Sequence, residues 1–455
     1  MSTSAPIVGT AQATCGEEMM RLIAKLYPIC RSITGNGIRE SLRIIGNIIP
    51  LDIHEVPSGT PVFDWMVPPE WNIREAWIKD SQGNRIVDFR NSNLHVVNYS
   101  LPVHAKLSLA ELRPHLFSLP ENPDWIPYRT SYYRETWGFC LSHRQLEQLR
   151  DDEYEVYIDS TLADGSLTYG ELFLPGETQS EMLLSCHACH PSLCNDNLSG
   201  MAVATFLARQ LGAAPHRFSY RFLFIPGTIG SIAWLSRNEA RVSSIRHGLV
   251  LSCLGDSGAF TYKRSRRGNA EIDRAVAHIL QHSGKPYQTV DFSPYGYDER
   301  QYCSPGFNLP VGRLSRTANG CYPEYHTSAD DLGLIRPGAL DASLDQLLSI
   351  VNLLERNRTY LNLNPKCEPQ LGKRGLYRAM GGLPDAGAHE LAMLWVLNLS
   401  DGQHTLLDIA ERAQVSFAAI AAAAETLCAY ELLSERDENN NMADSAQPGT
   451  RPPND

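Results

Sequence analysis

Strand–helix alternation over residues 153–284 predicts an α/β fold, a mixed and mostly parallel sheet with helices on both faces. Two other textures flank that core: short strands with polar turns from about Val56 to Asn122, and three closely spaced helices past Leu363. Composition agrees, since 455 residues with 20% charged, 43% hydrophobic, 33 Gly and 28 Pro exclude collagen-like, low-complexity and wholly disordered chains. The length suits two or three domains and at least one large core. A net charge of −11 argues against nucleic acid and membrane surfaces as partners. No apolar run reaches about eighteen residues, so no transmembrane helix is expected. The start, MSTSAPIVGTAQATCGEEMM, lacks the basic and apolar blocks of a signal peptide. The 11 scattered Cys do not read as a disulfide framework, which points to a reducing cytoplasm.

In chain order, residues 1–16 are small and polar and expected to be loose. EEMMRLIAKLYPIC and IRESLRIIGNII carry apolar residues at three and four spacings around a TGNG turn, predicting two helices between Glu17 and Ile49. EAWIKD, RIVDF and VVNYS read as strands of a small β-rich insert, residues 56–122. EYEVYIDS, LTYGELFLP, EMLLSCH, SYRFLFIP and HGLVLSCLG are strands of the main domain, assigned to residues 1–55 and 123–362. LSGMAVATFLARQLG, SIAWLSRNEA and EIDRAVAHILQHSG are its helices. HELAMLWVLNLSDG, TLLDIAERAQ and SFAAIAAAAETLCAYELL predict a winged helix over residues 363–435, and 436–455 reads as a disordered acidic tail. In the winged helix acids outnumber bases, and SFAAIAAAAETLCAYE offers no Arg, Lys, Asn or Gln to a base edge. DNA binding is therefore rejected. The alanine-rich face suits helix or subunit packing, leaving a homo-oligomer open.

The segment richest in chemistry is EMLLSCHACHPSLCNDNLSG. A strand runs into His187, a tight loop holds His190, Asn195 and Asp196, and an apolar helix follows Ser199. Imidazoles and a carboxylate gathered where a parallel strand ends suit zinc, and ligands bind at that edge of α/β sheets. A helix cap needs only one such residue, so a purely structural role explains less of the cluster. Cys186, Cys189 and Cys194 lack a matching CxxC pair elsewhere and read as small buried hydrophobes rather than a closed zinc site.

NDNLSG at a strand-to-helix junction resembles the metal-bridging Asp motif of leucyl-aminopeptidase-type zinc exopeptidases. More closely, the chain resembles a bacterial family of zinc aminopeptidase-like proteins with a small β insert and a C-terminal winged helix. LYPICRSITGNGIRESL, PYRTSYYRETWGFCLS, SCHACHPSLCNDNLSG, RFLFIPGTIGSIAWLSRN, GDSGAFTYKRSRRG, DERQYCSPGFNLPVGRLSR and EYHTSADDL carry the resemblance, in order, over almost the whole chain. It implies a zinc-exopeptidase core and one zinc ion per chain held by His187, Asp196 and His326, with an open fourth position. Sequence alone leaves His187 and His190 as alternatives. His187 is favoured because it ends the strand, which leaves His190 to support the site or touch substrate.

The chain departs from the pattern where it matters for mechanism. The related family carries Pro-Glu-Thr-Ile-Gly-Ser, whereas this chain reads Pro226-Gly227-Thr228-Ile229-Gly230-Ser231. Gly227 thus stands at the position of the expected general base. The exopeptidase ligand Asp on the next strand is also missing, with Cys253 and then Asp256 in that region. Gly227 reads as an introduced inactivation, as a natural loss of hydrolysis, or as a base moved to Asp298, Glu299 or Glu324; a restored Glu is expected to raise turnover in the first two cases and to leave it unchanged in the third. Lys263, Arg264, Arg266 and Arg267, with Arg300, Arg313 and Arg316, are candidates to clamp a substrate carboxylate or phosphate. Tyr295, Tyr297 and Tyr322 are candidates to line the site. The function implied is a zinc-dependent aminopeptidase-like hydrolase cleaving an amide in a small peptide or peptide-like metabolite. The alternatives are a metal-assisted acyl transferase or cyclase on the same scaffold, and a hydrolytically inactive peptide-binding protein.

Overall fold

The computed structural model describes residues 13–376 and 386–436. They divide between two compact units, residues 1–348 and 349–455. The tail expected over 436–455 lies, apart from Arg436, outside the described residues, as do residues 1–12.

The larger unit is built on an eight-stranded mixed sheet. Strands Glu181–His187, Ser219–Ile225, Ile245–Leu251 and Val311–Ser315 run parallel at its centre. Glu181–His187, Ser219–Ile225 and Val311–Ser315 are buried at every position, as expected of strands covered on both sides. Asp52–Pro57 and Ser166–Leu174 extend one side antiparallel, and Phe260–Lys263 pairs antiparallel with Val311–Ser315 on the other. Helix Gly200–Leu211 buries its first nine residues, Gly200 to Ala208, so it behaves as part of the core rather than as an amphipathic surface helix. Helix Cys15–Leu26 starts earlier than its sequence pattern suggests. A reciprocal cap between Thr14 and Glu17 satisfies its first backbone donors.

The insert differs from expectation at its boundary. Its four-stranded sheet runs Arg85–Asp88, Glu70–Lys79, Glu153–Ala163, Val103–Ser108, so a central strand comes from beyond residue 122. Glu153–Ala163 alternates buried with less buried residues, the mark of a sheet with one covered face, and it pairs with Glu70–Lys79 over almost its full length. The VVNYS segment forms isolated bridges to Phe139 and Thr130 instead of a strand.

The smaller unit joins helices Ala386–Leu399, Leu406–Ala413 and Phe417–Ala429 to a three-stranded sheet of Asp401–Thr405, Thr359–Asn362 and Leu433–Glu435. Ala421, Ala423 and Ala424 are buried alongside Phe417, Ile420 and Leu427. The alanine-rich face is therefore used for packing.

Candidate metal centre

The parallel strands end together at His187, Ile225, Leu251 and Ser315. The NDNLSG segment knots those ends. Residues Cys194–Ser199 form one π-type turn, closed by Gly200, in which Asp196 and Asn197 have non-helical backbone angles. Asn197 donates from Nδ2 to the carbonyls of His187, at 3.2 Å, and Leu251, at 3.0 Å, and accepts from the Cys253 amide at 3.2 Å. Asn195 donates to Asp256 at 2.9 Å and accepts from the Gly255 amide, also at 2.9 Å. Ser199 donates to the Asn195 carbonyl and accepts from the Leu254 amide. A side chain at Gly200 would put its Cβ 2.6 Å from the Leu251 carbonyl oxygen, so only glycine lets the helix start this close to the strand.

This knot thrusts the Asp196 carboxylate into a ring of imidazoles. Oδ1 lies 2.7 Å from His187 Nε2, and Oδ2 lies 3.0 Å from His326 Nε2 and 3.8 Å from His190 Nε2. The Tyr297 hydroxyl donates to Oδ1 at 2.8 Å, and its ring stacks on His187 with centroids 4.3 Å apart. Tyr325 stacks on His326 at 3.9 Å, and the Tyr128 ring meets both His190 and His326 edge-on. Burial alone would raise the Asp196 carboxyl. The surrounding imidazoles reverse that and hold it well below the ordinary range. His190 is pushed down to about 3, chiefly by burial, so it is a neutral nitrogen donor. His326 sits at φ 57 and Cys253 at φ 52, left-handed backbone that bulky residues adopt at a cost and that concentrates at functional sites.

Asp330 is a residue the sequence did not single out, although it lies in the quoted EYHTSADDL motif. Its carboxylate accepts the amides of Asn195, at 2.6 Å, and Asp196, at 3.0 Å, and the Tyr322 hydroxyl at 3.2 Å. Burial raises it to about 7 despite those bonds. A carboxylate spaced four residues after His326 was the available signal; its targets lie 134 and 135 residues away in the chain.

Gly227 follows strand Ser219–Ile225 at the rim of this cluster. A Cβ there would lie 3.1 Å from His187 Cβ and 3.7 Å from each Asp298 carboxylate oxygen. Asp298 is fully buried, takes a 2.8 Å bond from Ser231, and leaves Oδ2 without a hydrogen-bond partner. Burial pushes its carboxyl up to about 6, against the pull of nearby His187. A side chain at position 227 would thus face a carboxylate arriving from another loop.

A family model described as "Domain of unknown function (DUF4910)" matches residues 20–357, and a winged helix-turn-helix model matches 358–435. The chain belongs to the DUF4910 family. It is 54% identical over 418 residues to a Clostridium acetobutylicum protein named "Putative polysaccharide biosynthesis protein with aminopeptidase-like domain", covering 92% of this chain and 96% of the relative. The crystal structure of a "putative peptidase" from Clostridium acetobutylicum superposes with a TM-score of 0.89 at 52% identity, over 92% of this chain and 96% of that one. A zinc aminopeptidase from Bacillus subtilis superposes with a TM-score of 0.54 at 12% identity, over 74% of this chain and 94% of that one. The larger unit therefore has an aminopeptidase-like fold.

In this DUF4910 chain the remaining candidates divide by location. Lys263, Glu299 and Arg313 form a buried cluster beneath Tyr297. Glu299 is engaged by Lys263 at 2.9 Å, so its carboxylate is an ion-pair partner. Arg264 binds the Gly268 carbonyl and lies 3.7 Å from Asp291, while Arg266 and Arg267 bond to Asn308. Arg300 keeps Nε buried without a hydrogen-bond partner. Glu324 lines a cavity of about 480 Å³ with Trp125, Ser328 and Arg336, a set that includes none of the three histidines. Asp256 is occupied by Asn195, Gly258 and Thr317, and Cys253 is a buried thiol raised well above its ordinary range by burial.

Proposed function

We propose that this protein is a zinc-dependent, aminopeptidase-like hydrolase that cleaves an amide bond in a small peptide or peptide-like metabolite. The observation that carries this reading is a single buried carboxylate, Asp196, encircled by His187, His190 and His326 at the edge where the parallel strands end.

The residues fit zinc. Ligand atoms of His187, His190 and Asp196 lie within 4.8 Å of one another, a nitrogen-and-oxygen donor set that zinc favours. His187 Nδ1 is also buried without a hydrogen-bond partner. His187 and Asp196 would hold the ion together with His326, whose Nε2 lies 3.0 Å from Asp196 Oδ2, and His190, 3.8 Å from the same oxygen, is a further nitrogen beside them. When bound, zinc supplies Lewis-acid polarisation of the amide carbonyl. We expect one ion per chain, because Gly227 and the Cys253 thiol stand where a second ion would require acids.

Asp298 is the group placed to move the proton. Its unpartnered Oδ2 can accept a proton from water and return it to the departing amine, and Ser231 fixes the other oxygen. Tyr297 holds Asp196 in orientation through its hydroxyl and His187 through its ring. The eleven cysteines are all unpaired, which suits residence in a reducing cytoplasm.

The test is elemental analysis of purified protein followed by an amide panel. The panel should contain aminoacyl amides, dipeptides and, given the polysaccharide-biosynthesis name of the Clostridium relative, N-acyl amino sugars. About one zinc per chain and turnover abolished by Asp196→Ala are expected. Two tightly bound ions, or no amide cleavage by zinc-loaded protein across the panel, would overturn the reading.

A further inference from the structure

Lys263 and Arg313 sit directly opposite each other where strand Phe260–Lys263 pairs antiparallel with Val311–Ser315. Both are buried, at 2% and 5% exposure. Like charges in that register repel, and a buried cation without a counter-ion is costly. One carboxylate answers both: Glu299 Oε1 lies 2.9 Å from Lys263 Nζ and 3.7 Å from Arg313. The same ammonium donates to the Tyr295 carbonyl at 2.7 Å. A single lysine therefore grips the chain on both sides of Tyr297 and Asp298. Gly296 lets the backbone close over this grip, since a Cβ there would lie 2.8 Å from Nζ. Arg313 completes the arrangement, with its guanidinium 5.7 Å from the Tyr297 ring centre and a 2.6 Å bond to Asn319.

We infer that Lys263, Glu299 and Arg313 form a clamp whose task is to set Tyr297 against Asp196 and Asp298 beside Gly227, with Glu299 as a positioning residue for the hydrolytic reaction. A base at position 227, two residues past strand Ser219–Ile225, would be placed by the sheet itself. Asp298 instead belongs to the loop between Tyr287–Val290 and the short helix Glu299–Tyr302, and needs an independent anchor. The adjacent Glu299, tied to two sheet strands at once, provides it.

The inference rests on the hydrolase reading, and its test reads structure as well as rate. In a crystal structure of full-length Glu299→Gln, the Asp298–Ser231 bond and the Tyr297–Asp196 bond are expected to be lost. The kcat on any amide the wild type cleaves should fall about 10–100-fold, the usual effect of misplacing a reacting group by about 1 Å. KM and zinc content should be retained. In a cycle with Asp298→Asn, the Glu299→Gln loss should vanish, because the group it places is already disabled. Lys263→Met repeats the test from the cation side should Glu299→Gln fail to fold. If Tyr297 and Asp298 stay in place in either variant, the clamp is refuted whatever the activity does. Additive losses in the cycle would also refute it. A wild type without amide turnover would overturn the hydrolase reading alone, since the structural readout still decides the clamp.

Discussion

At position 227 the missing side chain and the buried Asp298 carboxylate face one another, and that pair decides what substitutions there do. Asp298→Asn should lower kcat by roughly 10²–10⁴-fold with little change in KM, the usual worth of a positioned general base. Gly227→Glu in the native background is not expected to give the gain that the motif alone suggests. Its Cβ would already stand 3.7 Å from both Asp298 oxygens and 3.1 Å from His187 Cβ, so a second carboxylate would enter a confined space that already holds one. With Asp298→Asn in place the same glutamate has a neutral neighbour, and the double variant should recover at least about tenfold over Asp298→Asn alone. Steady-state kinetics on the three proteins decides the matter; an undiminished Asp298→Asn would remove Asp298 from the chemistry. His187 and Asp196 were conspicuous in the sequence because nine residues separate them across one strand-to-loop junction. Lys263 opposite Arg313 was not, because a cross-strand register between residues fifty apart leaves no local trace.

The turn Cys194–Ser199 is the element on which the cluster depends, and Asn197 is its central tie. Asn197→Ala removes three buried bonds to His187, Leu251 and Cys253 and should cost about 3 kcal/mol, read from the urea midpoint. Elsewhere in the larger unit, Arg39 in helix Asn36–Gly46 binds Glu70 at the start of strand Glu70–Lys79, at 2.6 and 2.8 Å. The Arg39 bonds hold Glu70 at about 2, below its ordinary 4.5. A carboxyl lowered on folding stabilises fully above its unfolded value and loses that contribution as pH falls through the folded one. Glu70→Gln should therefore be less stable than wild type by about 1–2 kcal/mol at pH 7, with the difference closing between pH 4.5 and 2. A gap constant with pH would show that the ion pair contributes nothing. The sequence identified most of these elements by their periodicity. It did not identify which sheet Glu153–Ala163 joins, because alternation marks a half-covered strand without naming its neighbour.

For the whole molecule, we propose that the winged helix does not bind nucleic acid: its helix Phe417–Ala429 turns Ala421, Ala423 and Ala424 inward and carries no Arg, Lys, Asn or Gln. Fluorescence anisotropy with duplex DNA at low salt should show no saturable binding; a salt-dependent isotherm would reverse that view. No helix among the described residues is long and apolar enough to cross a membrane. The α/β class and the third texture past Leu363 were readable from alternation and helix spacing, whereas the boundary of the insert was not, since it is set by a pairing between residues 70–79 and 153–163. One anchoring bond has a practical consequence for shortened versions of the protein. Arg31, fully buried, donates from Nε to the His190 carbonyl at 2.9 Å and from NH1 to the Leu26 carbonyl at 2.6 Å, so the first helical hairpin holds the loop that presents His190. Trimming the chain to begin at residue 34 would spare every histidine of the cluster yet release that loop. Such a truncation also strips the buried Met19, Ile23 and Leu26 from the core, so Arg31→Met in the full chain is the cleaner cut: it should fold and bind zinc more weakly, a loss that equilibrium dialysis would measure and that no inspection of the histidine motif would foresee.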